Sequence, residues 1–126
     1  MNRPLLALVA LIALTLVSCS DDSPSTSEGS ESIAVTSSDD ECIVSPTEAP
    51  SGTLVFNVEN TGDEATEFYF LGEDEETIVG EVENIGPGIS RPLEVEAEPG
   101  TYFTSCKPGM TGDGIRAEFT VTAADG

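Results

Sequence analysis

Histidine is absent from all 126 residues of the chain. Without an imidazole, the chain cannot form the Ser–His or Cys–His pairs that activate many nucleophiles, and it has no Gly-x-Ser-x-Gly elbow to present a serine. Imidazole is also the commonest nitrogen ligand of copper and zinc. The sequence therefore predicts a protein that is not an enzyme, and it excludes metal sites built on histidine.

Basic residues are also scarce, because 4 Lys and Arg stand against 24 Asp and Glu, for a formal net charge of −20. Arg3 lies in the first segment of the chain, so its loss on processing would change the net charge to −21. A phosphate polymer would be repelled by such a surface, which offers no basic patch to release counterions. We therefore expect no nucleic-acid partner, and we interpret the acidity as a solvated surface suited to salty surroundings.

Long apolar runs are lacking except for Pro4–Val17, which is too short to span a bilayer stably and becomes polar abruptly. The run ends in Leu16-Val17-Ser18-Cys19. This ending resembles the lipobox of bacterial lipoproteins, which implies cleavage before Cys19 and attachment of lipid to its sulfur. The alternative is plain secretion with cleavage near Ser18. We predict a protein anchored by lipid to the outer side of the cytoplasmic membrane.

A segment without large apolar side chains follows, and it buries too little surface to offset the entropy of ordering. The predicted organisation is a signal peptide over residues 1–18, a disordered acidic tether over residues 19–32, and a single folded domain over residues 33–126. The domain has room for one small core.

The domain shows the two-residue alternation of β-strands and no convincing helical period. Leu93, Val95 and Ala97 alternate with glutamates, for example, so that one face of this segment is apolar. Turn residues separate the strand-like runs. The runs are 33–36, 42–44, 53–59, 65–71, 77–83, 93–97, 100–106 and 116–121. Seven or eight short strands predict an all-β, antiparallel Greek-key sandwich.

Two stretches carry a family resemblance. The first begins at Asn60-Thr61-Gly62-Asp63 and continues to Phe70, and the second is Pro99-Gly100-Thr101-Tyr102 leading to Cys106. They resemble the cupredoxins, in which a histidine ligand precedes an aromatic-rich strand and a cysteine ligand ends a later strand. By this resemblance Glu67 replaces the first histidine, Cys106 is the cysteine, and Gly109 replaces the second histidine. A blue-copper site needs two imidazoles and a thiolate, so blue-copper electron transfer is not expected.

A finer resemblance involves Cys42, Glu67, the run from Gly80 to Gly88, and the loop that follows Cys106. These features resemble the cupredoxin-like domain of EfeO-type periplasmic iron-uptake proteins. The resemblance implies a metal-binding lipoprotein for ferric iron or copper, with envelope iron-uptake proteins as partners. Its implied ligands are Glu67, Glu83, Cys106 and Cys42. We expect such a domain to be a monomer.

The two cysteines of the domain admit a second interpretation. An exported protein commonly joins two cysteines 64 positions apart in a disulfide, which would leave no thiolate for a metal. Glu67 also admits a second interpretation, because it is a surface carboxylate rather than a ligand if Phe68 and Phe70 face the core. The alternative function is then a metal-free sandwich, closed by Cys42–Cys106, that binds or scaffolds at the cell surface.

Overall fold

The computed structural model describes residues 30–124, which form nine β-strands and one short 3₁₀ turn. The strands are β1 (Ser30–Ser37), β2 (Cys42–Ser45), β3 (Glu48–Pro50), β4 (Gly52–Asn60), β5 (Thr66–Leu71), β6 (Ile78–Ile85), β7 (Ser90–Ala97), β8 (Gly100–Cys106) and β9 (Ile115–Thr122), and the turn is Pro108–Met110. This part of the chain has no helix long and apolar enough to cross a membrane. The predicted signal peptide and Cys19 lie outside the described residues.

The strands form two sheets that pack face to face. One sheet has four strands in the order β2-β1-β4-β7, and the other has five in the order β3-β9-β8-β5-β6. The predicted all-β sandwich is confirmed, but the sheets are mixed rather than purely antiparallel. Strand β1 pairs in parallel with β4, and β3 pairs in parallel with β9. Neither parallel pair is a hairpin, so in each case the intervening chain has room to return to the same end of the sheet.

Most strand bounds differ from those predicted by one to three residues, and one strand was not predicted. Strand β1 begins at Ser30 rather than at Ile33, because the backbone of Ser30–Ser32 pairs with Thr53–Val55 of β4. Such pairing needs no apolar side chain, so composition alone assigned these residues to the tether. Strand β3 was not predicted, because it has only three residues and ends in Pro50.

The core between the sheets contains four phenylalanines that are completely buried: Phe56, Phe68, Phe70 and Phe119. The ring of Phe56 lies 4.8 to 5.5 Å from the other three, measured between centroids. Such tilted and edge-on contacts add to the stabilisation from area burial. Because Phe68 and Phe70 alternate along β5, the core fixes which residues of that strand face outward.

Candidate functional site

A disulfide joins the two sheets at one end of the sandwich. Cys42 opens β2 and Cys106 closes β8, and their Sγ atoms are 2.04 Å apart with a Cα–Cα distance of 5.6 Å. Cys106 is completely buried in the core, and Cys42 packs against the same cluster. The bond uses both sulfur atoms of the domain, so neither is available as a thiolate ligand in this form.

Glu67 lies on the opposite face of the five-stranded sheet from Cys106. In the β5–β8 ladder Phe68 stands directly across from Cys106, and both side chains point into the core. Glu67 instead pairs with Lys107 through two backbone hydrogen bonds of 2.8 and 3.3 Å. Adjacent residues of a strand face opposite sides, so Glu67 and Lys107 project outward together.

Glu83 shares that outer face. It lies on β6, where Glu81 and Glu83 are exposed while Val82 between them packs against the core. Tyr69 of β5 stands across from Glu81. The register shifts between Thr66 and Phe68, so Glu67 has no regular partner on β6. Glu67 and Glu83 therefore belong to one side of the sheet, while Cys42 and Cys106 belong to the other.

The carboxylate of Glu67 accepts a hydrogen bond of 2.8 Å from the phenol of Tyr69. The Lys107 Nζ lies 4.4 Å from the centroid of the Tyr69 ring, a cation–π contact. The Tyr69 pKa is raised well above its ordinary value, first by burial and then by the hydrogen bond and negative charge of Glu67, with smaller contributions from Glu81 and Glu83. Glu67 is thus a hydrogen-bonded neighbour of a protonated phenol.

The predicted metal set does not converge. Within residues 30–124, no three side chains among Cys, Asp and Glu are placed to hold one metal ion. The four implied ligands separate into a buried disulfide, Cys42–Cys106, and two outward carboxylates, Glu67 and Glu83. A blue-copper centre needs a thiolate and two imidazoles in one shell, and these residues do not fit it.

Gly109 occupies the position where the resemblance expects a second histidine. Its φ angle is 75°, a left-handed conformation that favours glycine, and its N–H donates a 2.8 Å hydrogen bond to the carbonyl of Ala65. Met110, which follows, is exposed. This loop is therefore ordered by its backbone, and Gly109 contributes no side chain to a site.

The acidic loop Glu73-Asp74-Glu75-Glu76 forms the turn between β5 and β6. Asp74 accepts hydrogen bonds from the backbone N–H groups of Glu76 and Thr77 and from the Thr77 hydroxyl, at 2.6 to 2.9 Å. These bonds, led by that of the Thr77 hydroxyl, lower the pKa of Asp74 to about 2. The carboxylate of Asp74 therefore organises the turn.

The family model of the cupredoxin-like domain matches residues 7–121. The chain belongs to the cupredoxin-like domain family. This membership agrees with the two-sheet fold and confirms the broader resemblance. No curated protein matches the sequence.

Solved structures of similar fold include two auracyanins and an azurin. A reduced auracyanin from Roseiflexus castenholzii is 21% identical over 75% of this chain and 97% of its own, with a TM-score of 0.56. Auracyanin A, a "blue" copper protein from Chloroflexus aurantiacus, is 16% identical over 75% of this chain and 100% of its own, with a TM-score of 0.56. An azurin from Methylomonas sp. strain J is 13% identical over 75% of this chain and 98% of its own, with a TM-score of 0.52. At these identities the likeness shows the fold.

Sequence reasoning missed the contact network around Tyr69. The alternation along β5 places Glu67 and Tyr69 on one face, which is the signal for their hydrogen bond. The position of Lys107 above the ring depends on the β5–β8 register, which no short-range pattern reveals.

Proposed function

We propose that this cupredoxin-like domain is a metal-free, disulfide-closed binding module rather than an electron carrier or an enzyme. The main supporting observation is that Cys106, at the end of β8 where a copper thiolate would be expected, is bonded to Cys42. The absence of histidine leaves no imidazole to complete a blue-copper shell. The outer surface of the sandwich, rather than a metal centre, would then carry the binding function.

The proposed location is the outer side of the cytoplasmic membrane, with lipid on Cys19 as the anchor. Disulfides form and persist in oxidising compartments, so a Cys42–Cys106 bond supports export. A mature chain near −21 would be repelled by anionic lipid headgroups, so attachment would depend on the acyl chains. We propose a monomer that does not bind nucleic acid.

A titration with Cu²⁺, monitored by calorimetry and by visible absorption, tests this function. We expect no intense blue colour, and only weak binding that disappears with added salt, because surface carboxylates gather cations loosely. Glu67→Gln removes one candidate ligand, and Glu94→Gln removes one exposed carboxylate from β7 as the matched control. The two variants should bind Cu²⁺ alike. An intense blue colour, or tight binding lost only in Glu67→Gln, would overturn the proposal.

Metal binding is the second candidate function, and the adjacency of the two sulfur atoms supports it. If a cellular reductant such as a dithiol opened the disulfide, two thiols with Cα atoms 5.6 Å apart would be released. Thiolates are soft ligands that select Cu⁺. This candidate predicts that the reduced parent binds one Cu⁺ and that Cys42→Ser does not.

The EfeO-type resemblance implies that the metal of this second function is ferric iron. It also implies a link to envelope iron-uptake proteins. Iron(III) prefers oxygen donors, and Glu67 and Glu83 would be its ligands on the outer face. The same calorimetric titration with chelated Fe³⁺ tests it. Stoichiometric binding that weakens in Glu67→Gln but not in Glu94→Gln would support it, and equal weak binding in both variants would count against it.

A further inference from the structure

We propose that a cavity on the outer face of the five-stranded sheet binds a small organic carboxylate with an apolar body. The cavity measures about 250 Å³ and lies beside the β5–β6 turn. Drug-sized ligands occupy pockets of roughly 300–1,000 Å³, so this one suits a smaller molecule. It is the binding site of the module proposed above, on whose function the inference rests.

The lining of the cavity includes apolar and aromatic side chains from two neighbouring strands. Tyr69 and Leu71 come from β5 and are almost completely buried, although neither belongs to the main core cluster between the sheets. Ile78 opens β6 directly across from Leu71, and 51% of its surface is exposed. An apolar ligand group in contact with Leu71 and Ile78 would remove this surface from water.

Two cations also line the cavity, Lys107 and Arg116. They are two of the three basic residues within the described part of the chain, and the third, Arg91, lies on β7 of the other sheet. Charge balance on so acidic a surface would be expected to give each cation a carboxylate partner. Among residues 30–124, however, the Lys107 ammonium forms no ion pair and instead lies over the Tyr69 ring.

Arg116 is held in place by part of its guanidinium. Its Nε donates to the Asp113 carbonyl at 2.9 Å and its Nη1 to the Glu75 carbonyl at 3.0 Å, while the Glu75 carboxylate lies 3.7 Å from Nη1. Within residues 30–124, Nη2 has no hydrogen-bond acceptor. The cavity therefore combines a fixed guanidinium edge with the three donors of the Lys107 ammonium.

These donors define the polar part of the ligand. A carboxylate can accept from a guanidinium and an ammonium together, in charge-assisted hydrogen bonds that are stronger than neutral ones. Glu75 and Glu76 also line the cavity, and their negative charges disfavour a ligand with more than one charge, such as a phosphate monoester. The combination selects a monoanion whose remaining atoms are apolar.

Methyl NMR of the purified full chain tests the site, with 3-phenylpropionate as the probe and 3-phenylpropionamide as its uncharged isostere. We expect saturable shifts of the Leu71 and Ile78 methyl signals with the carboxylate and much smaller shifts with the amide. Lys107→Gln should weaken binding about fivefold, the scale of a partly exposed ion pair. Arg91→Gln, which removes one cation from the other sheet, is the matched control and should bind like the parent.

Equal shifts with acid and amide, equal affinity of Lys107→Gln and Arg91→Gln, or no shifts at all would each overturn the carboxylate site. Ile78→Ser, at an exposed position, tests the apolar contact and should also weaken binding without unfolding the protein. A copper titration of the same sample keeps the two ideas distinct. Intense blue colour would reject the proposed function, whereas absent methyl shifts without copper binding would reject only this site.

Discussion

Glu67 and Cys106 project from opposite faces of the same β-sheet. Phe68 stands directly across from Cys106 and shares its buried face, so the neighbouring Glu67 must point outward, where it accepts a hydrogen bond from Tyr69. No side-chain rotation brings a carboxylate and a sulfur together through a sheet. The domain thus has the cupredoxin fold, but Glu67 and Cys106 do not converge on one site.

The disulfide is predicted to be a major source of stability. The bond closes a loop between positions 64 apart, which in the chain-entropy model stabilises the native state by about 4 kcal/mol. The double variant Cys42→Ala/Cys106→Ala should lose stability on that scale in urea unfolding. The reduced parent is the control and should unfold near the double variant, because both lack the cross-link. If the unfolding curves of the oxidised parent and the double variant coincided, the disulfide would be absent or would not stabilise the fold.

Tyr69 makes the stability depend on pH in the alkaline range. Its folded-state pKa is raised, whereas an unfolded tyrosine titrates near pH 10. Above that pH the unfolded chain releases a proton that the folded protein retains, so the stability supplied by this group is lost as pH rises. Urea unfolding between pH 9 and 11 should show this loss in the parent and less of it in Tyr69→Phe.

The phenol can be followed directly by ultraviolet absorption. The chain has two tyrosines, so Tyr102→Phe leaves Tyr69 as the only titrating phenol. In that background Glu67→Gln should lower the Tyr69 pKa only in part, because burial is its largest cause and remains. A Tyr69 titration at the ordinary tyrosine pKa in the Tyr102→Phe protein would contradict the observed packing.

Much of the fold follows from local sequence patterns. The run 100–106 was predicted as a strand and is β8, with the same bounds, because the turn residues Pro99-Gly100 and Pro108-Gly109 flank it. Alternation along β5 also gave the outward direction of Glu67 as soon as Phe68 and Phe70 were placed in the core. The two-residue period of a strand is enough for such inferences.

The parallel pairings and the site could not be predicted in the same way. Strand β1 pairs with β4 as well as with its hairpin neighbour β2. The pairing with β4 depends on the packing of the whole sandwich. The cavity unites Leu71, Ile78, Lys107 and Arg116 from three separate stretches. Their meeting depends on registers between strands, and the irregularity between Phe70 and Leu71 sets the register that brings Leu71 across from Ile78.

Attachment to the membrane is predicted to depend on Cys19. Its position at the end of the apolar run Pro4–Val17 is the motif that favours lipidation. Cys19→Ala should move the protein from the membrane fraction to the soluble fraction of lysed cells, because the acyl chains would provide most of the binding energy. Ser18→Ala is a control that changes the adjacent residue and keeps the acceptor sulfur. Identical fractionation of parent and Cys19→Ala would contradict a lipid anchor.

One combined measurement, on the protein purified from its native envelope, decides whether Cys106 is bonded to Cys42 or to a metal. Elemental analysis for copper and iron is paired with alkylation of the unfolded, unreduced sample, read by mass at Cys42 and Cys106. We expect no stoichiometric metal and no label at either cysteine until a reductant is added. One equivalent of copper or iron, together with two labelled cysteines, would contradict this expectation.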